Sequence, residues 1–288
     1  MAVYQANKAA DSLPEFQFFH QFEAQYVVLA NQIAPMPTPS AQDWLAQHQE
    51  KGQNFFQYAQ QYPKIRQANH HLALIAIGSF SQEQWQTVIE LGTYLEKYYP
   101  IHISYLDSIQ IHELPASAVR FHRQKQELHS SLLLKQTLSK YTESFPIGVL
   151  AITPHAIFPD WQLPPVFGQA SPQHKTAIIS LHQLSKLTYS QNKALIDVRT
   201  FKVGSHELGH MLGFAHCLAF SCVMNGSNHL AELDRQPTWL CPDCLVKLCW
   251  RLEVNEVQRY DDLRQFWATK RNWRYKTYQD FLNISASF

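Results

Sequence analysis

Residues 206–216 read HELGHMLGFAH, and this segment constrains the interpretation of the chain more than any other. His206 and His210 are four residues apart, so on a helix they share a face and both imidazoles can reach one ion. Glu207 lies beside that face, where its carboxylate can contact a water molecule rather than the ion. Gly213 can adopt a positive φ and turn the chain back, which brings His216 round as a third ligand. The segment therefore predicts a zinc site with three protein ligands and one position open to water.

All five cysteines follow this motif within a short stretch, and the first 216 residues contain none. Four of them form two close pairs, C-x4-C and C-x2-C, made of Cys217, Cys222, Cys241 and Cys244. Such clustered thiolates predict a closed, tetrahedral, structural zinc site that stabilises an irregular loop. Two disulfides are the alternative for the same four residues. Cys249 lacks a partner in the zinc scheme and is expected to be a buried thiol.

The composition is that of a folded protein with a net charge close to zero. The chain has 288 residues, of which 45% are hydrophobic and 16% charged, so intrinsic disorder is excluded for most of it. The formal net charge of +1 indicates neither a nucleic-acid nor an anionic-membrane partner. The longest apolar run, 72–77, is too short to span a bilayer, and the N-terminus shows no secretory signal. We therefore expect a cytoplasmic protein with no membrane partner.

From residue 71 onward the chain alternates between predicted strands and helices. Apolar runs predict strands at 72–77, 101–109, 147–153 and 176–181, with a sheet-edge strand at 166–170 beside Pro164 and Pro165. Helices are predicted at 81–98, at roughly 122–141 and at about 194–212. This order favours helices packed on a sheet with parallel pairs. We divide the chain into a helical N-terminal extension (1–66), a catalytic domain (67–250) and a C-terminal helical tail (251–288).

The merged pattern H-E-x-x-H-x-x-G-x-x-H-C-x4-C-x-M…C-x2-C resembles the archaemetzincin family, in the metzincin clan of zinc peptidases. The resemblance covers about residues 147–250. It implies an α+β, metzincin-like fold with a mixed twisted sheet, an active-site helix and a four-cysteine zinc-stabilised loop. Met224 would be the methionine of the Met-turn that lies beneath the metal site. The gap from Met224 to Cys241 is one residue shorter than is usual in the family.

The resemblance also implies two zinc ions and their ligands. It assigns the catalytic zinc to three histidines and the structural zinc to four cysteines, namely His206, His210 and His216, and Cys217, Cys222, Cys241 and Cys244. Glu207 would be the general base that activates water for peptide-bond hydrolysis. The expected partner is a peptide or protein substrate, which would lie extended along the edge strand at 166–170.

Two other functions fit parts of the sequence. A non-catalytic peptide- or protein-binding module could retain the metal core, but an intact Glu207 argues against it. A nucleic-acid-binding zinc protein could be built on the four cysteines and the basic, aromatic run at 270–276, but the near-neutral charge argues against it. No cysteine precedes Cys217, so latency through a propeptide cysteine is not expected. Residues 1–66 would instead be a structural part or shield the cleft.

Overall fold

The N-terminal region combines helices with extended segments. The computed structural model describes residues 12–185 and 189–270. The first helices are α1 (Pro14–Gln32), α2 (Trp44–Gln47) and α3 (Phe55–Gln61). A capping box starts α3, because the side chains of Asn54 and Gln57 each accept a hydrogen bond from the other residue's backbone N–H. The region is therefore helical only in part.

The main sheet carries the predicted parallel strands. Its strands are β1 (His71–Ala76), β2 (His102–Tyr105), β5 (Gly148–Thr153), β7 (Gly168–Ser171) and β8 (Thr176–Ser180). The spatial order is β2-β1-β5-β8-β7, with β7 antiparallel to β8 and the other neighbours parallel. Every residue of β5 and β8 is buried, as expected for parallel strands covered on both faces. The edge-strand prediction is confirmed, since β7 is the outer strand of this sheet.

Helix α4 (Gln82–Tyr98) connects β1 to β2 and matches the predicted helix at 81–98. Its N-cap Ser81 and Gln84 form a capping box. The side chains of β1 alternate between the two faces of the sheet. Leu72 and Leu74 enter the core on one face, and Ala73 and Ile75 enter the core on the other. The sheet is thus the middle layer between two apolar cores.

The predicted helix at 122–141 is wrong in its first half. A hairpin of β3 (Val119–His122) and β4 (Lys125–His129) occupies that region, and β6 (Ala156–Phe158) extends it into a second sheet. Arg123 and Gln124, which join the hairpin strands, both have positive φ, 49° and 64°. A two-residue turn needs this conformation at both positions, but Arg-Gln lacks the glycine or asparagine that normally signals it. Helical turns follow only from α5 (Ser130–Leu132), through π and 3-10 segments at Leu133–Thr137 and Leu138–Ser144.

The remaining helices follow the main sheet. They are α6 (Leu181–Leu184), α7 (Tyr189–Met211), α8 (Leu230–Arg235), α9 (Pro242–Leu252) and α10 (Glu256–Ala268). Helix α7 starts earlier than predicted and is kinked at Asn192. The predicted basic run at 270–276 lies outside the described residues beyond Lys270. No helix among the described residues is both long and apolar enough to cross a bilayer.

The N-terminal helices share a core with α7. Phe22 of α1 and Phe55 and Tyr58 of α3 belong to the same buried cluster as Leu208 and Phe214. The Tyr58 hydroxyl donates a hydrogen bond of 2.9 Å to the carbonyl of Leu212 at the end of α7. The region before β1 is therefore packed directly beneath the histidine motif.

Candidate metal centres and substrate cleft

Helix α7 and the turn after it bring three imidazoles together. His206 and His210 project from one face of α7, with their Nε2 atoms 2.9 Å apart. Gly213, at φ 97°, ends the helix and returns the chain, so that His216 Nε2 lies 3.2 Å from His206 Nε2. Three nitrogens bound to one zinc at 2.0–2.1 Å in tetrahedral geometry would be about 3.3 Å apart. The donor set therefore fits a zinc ion.

The opposite ring nitrogens of these histidines are all engaged. His206 Nδ1 lies 2.9 Å from the Val223 carbonyl, and His210 Nδ1 lies 2.6 Å from the Phe214 carbonyl. His216 Nδ1 lies 2.7 Å from a carboxylate oxygen of Glu50. When each Nδ1–H donates to its partner, each Nε2 lone pair is left to face the common centre. Sequence reasoning missed Glu50, which is remote in the chain and belongs to no motif.

Burial keeps the imidazoles of His206 and His210 neutral, as metal binding requires. Burial, reinforced by the neighbouring imidazoles, lowers the pKa of His210 to about 4 and that of His206 well below its usual value. Burial also raises the pKa of the Glu207 carboxyl to about 8. The Glu207 side chain packs against the backbone of Gly168 in β7. A Cβ at Gly168 would lie 2.5 Å from Glu207 Oε1. Glu207 therefore fills the space between the histidine helix and the edge strand.

The four clustered cysteines form a second compact group. All five cysteines of the chain are described, and all five are free thiols. The four Sγ atoms of the cluster lie within 4.8 Å of one another, and Cys217 and Cys241 are 3.4 Å apart at sulfur. Four thiolates around one zinc at 2.3 Å would be about 3.8 Å apart. The backbone N–H groups of Met224 and Cys241 donate hydrogen bonds of 3.4 and 3.3 Å to Cys222 Sγ. The cluster fits a zinc ion, and the disulfide alternative is wrong.

The loop between the cysteines carries Met224 beneath the histidines. Met224 is fully buried, and a Cβ at Gly209 of α7 would meet its Sδ at 2.5 Å. The Asn225 side chain fastens this loop, donating to the carbonyls of Cys217 and Phe220 and accepting from the N–H of Cys222. Cys249 is buried, as predicted, and burial raises the pKa of its thiol.

A cleft of about 560 Å³ opens over His206, Glu207, His210 and His216. Edge-strand residues Val166–Ala170 line one wall, and Leu230 and Leu233 of α8 line another. Sequence reasoning also missed Lys202 in this cleft, one helical turn before His206. Its ammonium donates to the carbonyls of Leu233 and Asp234, and burial lowers its pKa to about 8. A larger cavity of about 640 Å³, at Ser79, Gln110 and His155, contains none of the predicted site residues.

A third group of possible ligands lies beside the cleft and is already satisfied. Asp43, His229 and Glu232 lie close together. Asp43 pairs with Arg235 at 2.7 Å and with His229 at 3.2 Å. Glu232 accepts the backbone N–H groups of Trp44 and Asn228. We interpret this group as an anchor that joins the N-terminal region to α8.

Comparison with known proteins agrees with the geometry. The sequence model of peptidase family M54 matches residues 104–249, just over half of the chain. Archaemetzincin-2 from Mus musculus is 29% identical over 267 residues, which is 80% of this chain and 74% of that protein. Archaemetzincin from Thermococcus kodakarensis is 41% identical over 91 residues, 31% of this chain and 49% of that protein.

The crystal structure of archaemetzincin from Methanopyrus kandleri has a similar fold. Its TM-score is 0.52 at 26% sequence identity, over 64% of this chain and 96% of that one. The α+β metzincin-like fold predicted from the sequence is thereby confirmed. The family match contains both clusters of possible zinc ligands within its limits. The chain is therefore a member of peptidase family M54, the archaemetzincins, and is a zinc-dependent metallopeptidase.

Proposed function

We propose that this metallopeptidase hydrolyses peptide bonds at the three-histidine cluster, with Glu207 as general base. The observation that carries the proposal is the convergence of three Nε2 atoms beside a buried carboxylate at the base of an open cleft. Zinc bound there would polarise the scissile carbonyl and lower the pKa of a water molecule. The family match supports this function and not the non-catalytic binding module.

Glu207 would move the proton in both halves of the reaction. It takes a proton from the attacking water and later delivers it to the amine nitrogen of the leaving peptide. A positioned carboxylate can accept a proton and return it later in the same reaction. The position of Glu207 in the cleft, beside His206 and against β7, supports this role.

The substrate would bind as an extra strand beside β7. An edge strand offers unpaired backbone N–H and C=O groups, to which an extended peptide can hydrogen-bond. β7 is the outer strand of the main sheet, and residues 166–170 line the cleft. A peptide in that position would carry a scissile bond past Glu207 and the histidines.

We further propose that the four cysteines hold a second, structural zinc. Four buried thiols close to one another, with two backbone N–H groups aimed at one sulfur, support it. The need for reduced thiols is consistent with the predicted cytoplasmic location. The absence of a nucleic-acid partner stays a prediction from the near-neutral charge. Residues 12–66 would act as part of the catalytic domain, since they share its core.

Cleavage of a diverse peptide library, read by mass spectrometry, tests the function. Glu207→Gln should retain the zinc content of the parent and lose about 10²–10⁴-fold in rate. Metal analysis should give two zinc ions per chain. Equal cleavage by parent and variant would show that Glu207 is not the general base. One zinc ion per chain would show that one of the two proposed ligand sets does not bind zinc.

A further inference from the structure

The N-terminal segment formed by residues 40–53 crosses the turn that carries His216. It lies outside residues 104–249, the region matched by the family. The Gln53 side chain donates to the Gly213 carbonyl and accepts from the Ala215 N–H, each at 3.3 Å. The Trp44 ring contacts the His216 ring edge-on, with centroids 5.2 Å apart. The segment thus touches the metal-site turn at several points.

Glu50 makes the shortest of these contacts. Its Oε1 lies 2.7 Å from His216 Nδ1 and also accepts a hydrogen bond of 2.8 Å from Trp44 Nε1. Trp44 is fixed in turn, because its backbone N–H donates to Glu232. The Glu50 side chain is 23% exposed, so little water competes for that oxygen. The carboxylate is therefore held in one orientation against the imidazole.

The three histidines differ in what orients them. His206 and His210 are oriented by backbone carbonyls of the motif region itself, whereas His216 is oriented by a side chain 166 residues away. A carboxylate on Nδ1–H fixes the ring's tautomer and orientation and makes Nε2 a stronger donor to a metal. His216 also follows the turn at Gly213, so it lacks the helical support of the other two.

We propose that Glu50 is a positioning residue for His216, supplied to the metal centre by the N-terminal segment. The inference rests on the proposed function, in which His216 is a zinc ligand. It gives the N-terminal region a direct part in metal binding, beyond packing and beyond shielding the cleft.

Zinc affinity, measured by competition with a chromogenic chelator, tests the proposal on the full chain. Glu50→Ala should weaken the histidine-site zinc by about 10–100-fold and leave the cysteine-site zinc unchanged. Glu50→Gln keeps an oxygen acceptor of nearly the same shape without the charge, so its loss should be smaller. Cobalt substituted at the histidine site should show a shifted visible spectrum in Glu50→Ala, which a purely structural role would not produce.

Glu253→Gln is the matched control. Glu253 also pairs with the N-terminal region, at Lys64 with 3.1 Å between the charged atoms, but the pair is exposed and neither residue belongs to either cluster. This control should keep the parent affinity. Equal weakening in Glu253→Gln and Glu50→Gln, or an unchanged affinity and cobalt spectrum in Glu50→Ala, would overturn the proposal.

His216→Ala separates failure of this inference from failure of the proposed function. Loss of one zinc in His216→Ala, combined with no effect of Glu50→Ala, would overturn the positioning role alone. Retention of both zinc ions in His216→Ala would overturn the ligand set and the positioning role together.

Discussion

Replacing Gly168 by alanine would push a methyl group against Glu207. The new Cβ would lie 2.5 Å from Oε1, 2.7 Å from Cγ and 2.8 Å from Cδ of Glu207, whereas an ordinary contact is at least 3.4 Å. The carboxylate must therefore move by about 0.9 Å if β7 holds its place in the sheet. A displacement of about 1 Å at a reacting group can cost about 10²-fold in rate, or about 2.7 kcal/mol in activation free energy.

Steady-state kinetics on a cleaved peptide should show this loss in kcat. We expect about a 100-fold lower kcat, unchanged KM and parent zinc content. Stability should fall by about 1–3 kcal/mol, because the methyl group overpacks the buried Glu207 side chain, although the backbone of Gly168 is not in the left-handed region. Gly92→Ala is the control. Its methyl group would meet the hydroxyl of the exposed Tyr105, and neither residue lines the cleft, so kcat should be unchanged.

A double variant shows whether Gly168→Ala lowers kcat by displacing Glu207. If Gly168→Ala acts through Glu207, adding it to Glu207→Gln should slow the enzyme no further. A multiplicative loss in the double variant would refute this reasoning. So would a raised KM with unchanged kcat, which would mean that the methyl group obstructs the substrate instead of the base.

Three other substitutions test separate parts of the structure. Cys241→Ser should lose one zinc and about 4 kcal/mol or more of stability, measured by metal analysis and denaturant unfolding; parent values would contradict the cysteine site. Gly213→Ala places a side chain at φ 97° and should cost about 1–3 kcal/mol in strain, with weaker zinc binding at His216; a parent melting curve would contradict it. Lys202 has a folded pKa of about 8 because of burial, below its usual 10.5, so its charged form is disfavoured by folding. The parent should therefore gain up to about 3 kcal/mol of stability relative to Lys202→Met as the pH rises from 8 to 10.5, measured by urea unfolding. A difference in stability that does not change with pH would contradict the lowered pKa.

The central sheet could be predicted because its strands are buried on both faces. The runs at 72–77, 147–153 and 176–181 are almost wholly apolar, and each lies within a residue or two of an observed strand. The hairpin at 119–129 could not be predicted in the same way. Its turn at Arg123 and Gln124 has no characteristic residue, and the leucines that follow fit a helical period equally well.

The metal clusters could likewise be predicted from the sequence, whereas the residues that surround them could not. The histidines and cysteines are close in sequence, so their spacing carries the information about which atoms can meet. Glu50 reaches His216 only through tertiary packing across 166 residues, and no local pattern marks it. Gly168 likewise contacts Glu207 because β7, the outer strand of the main sheet, lies beside α7. These contacts depend on the whole fold rather than on a motif.

The place of β1 between β2 and β5 limits where the chain can be shortened. The region matched by the family starts at residue 104, inside β2, so a fragment confined to it would lack β1 and α4. Strand β5 would then lose its partner along Gly148–Ile152 and become an exposed edge made almost entirely of apolar residues. Such edges recruit other chains. A fragment of residues 104–249 should therefore self-associate, even though it contains all seven of the proposed zinc ligands.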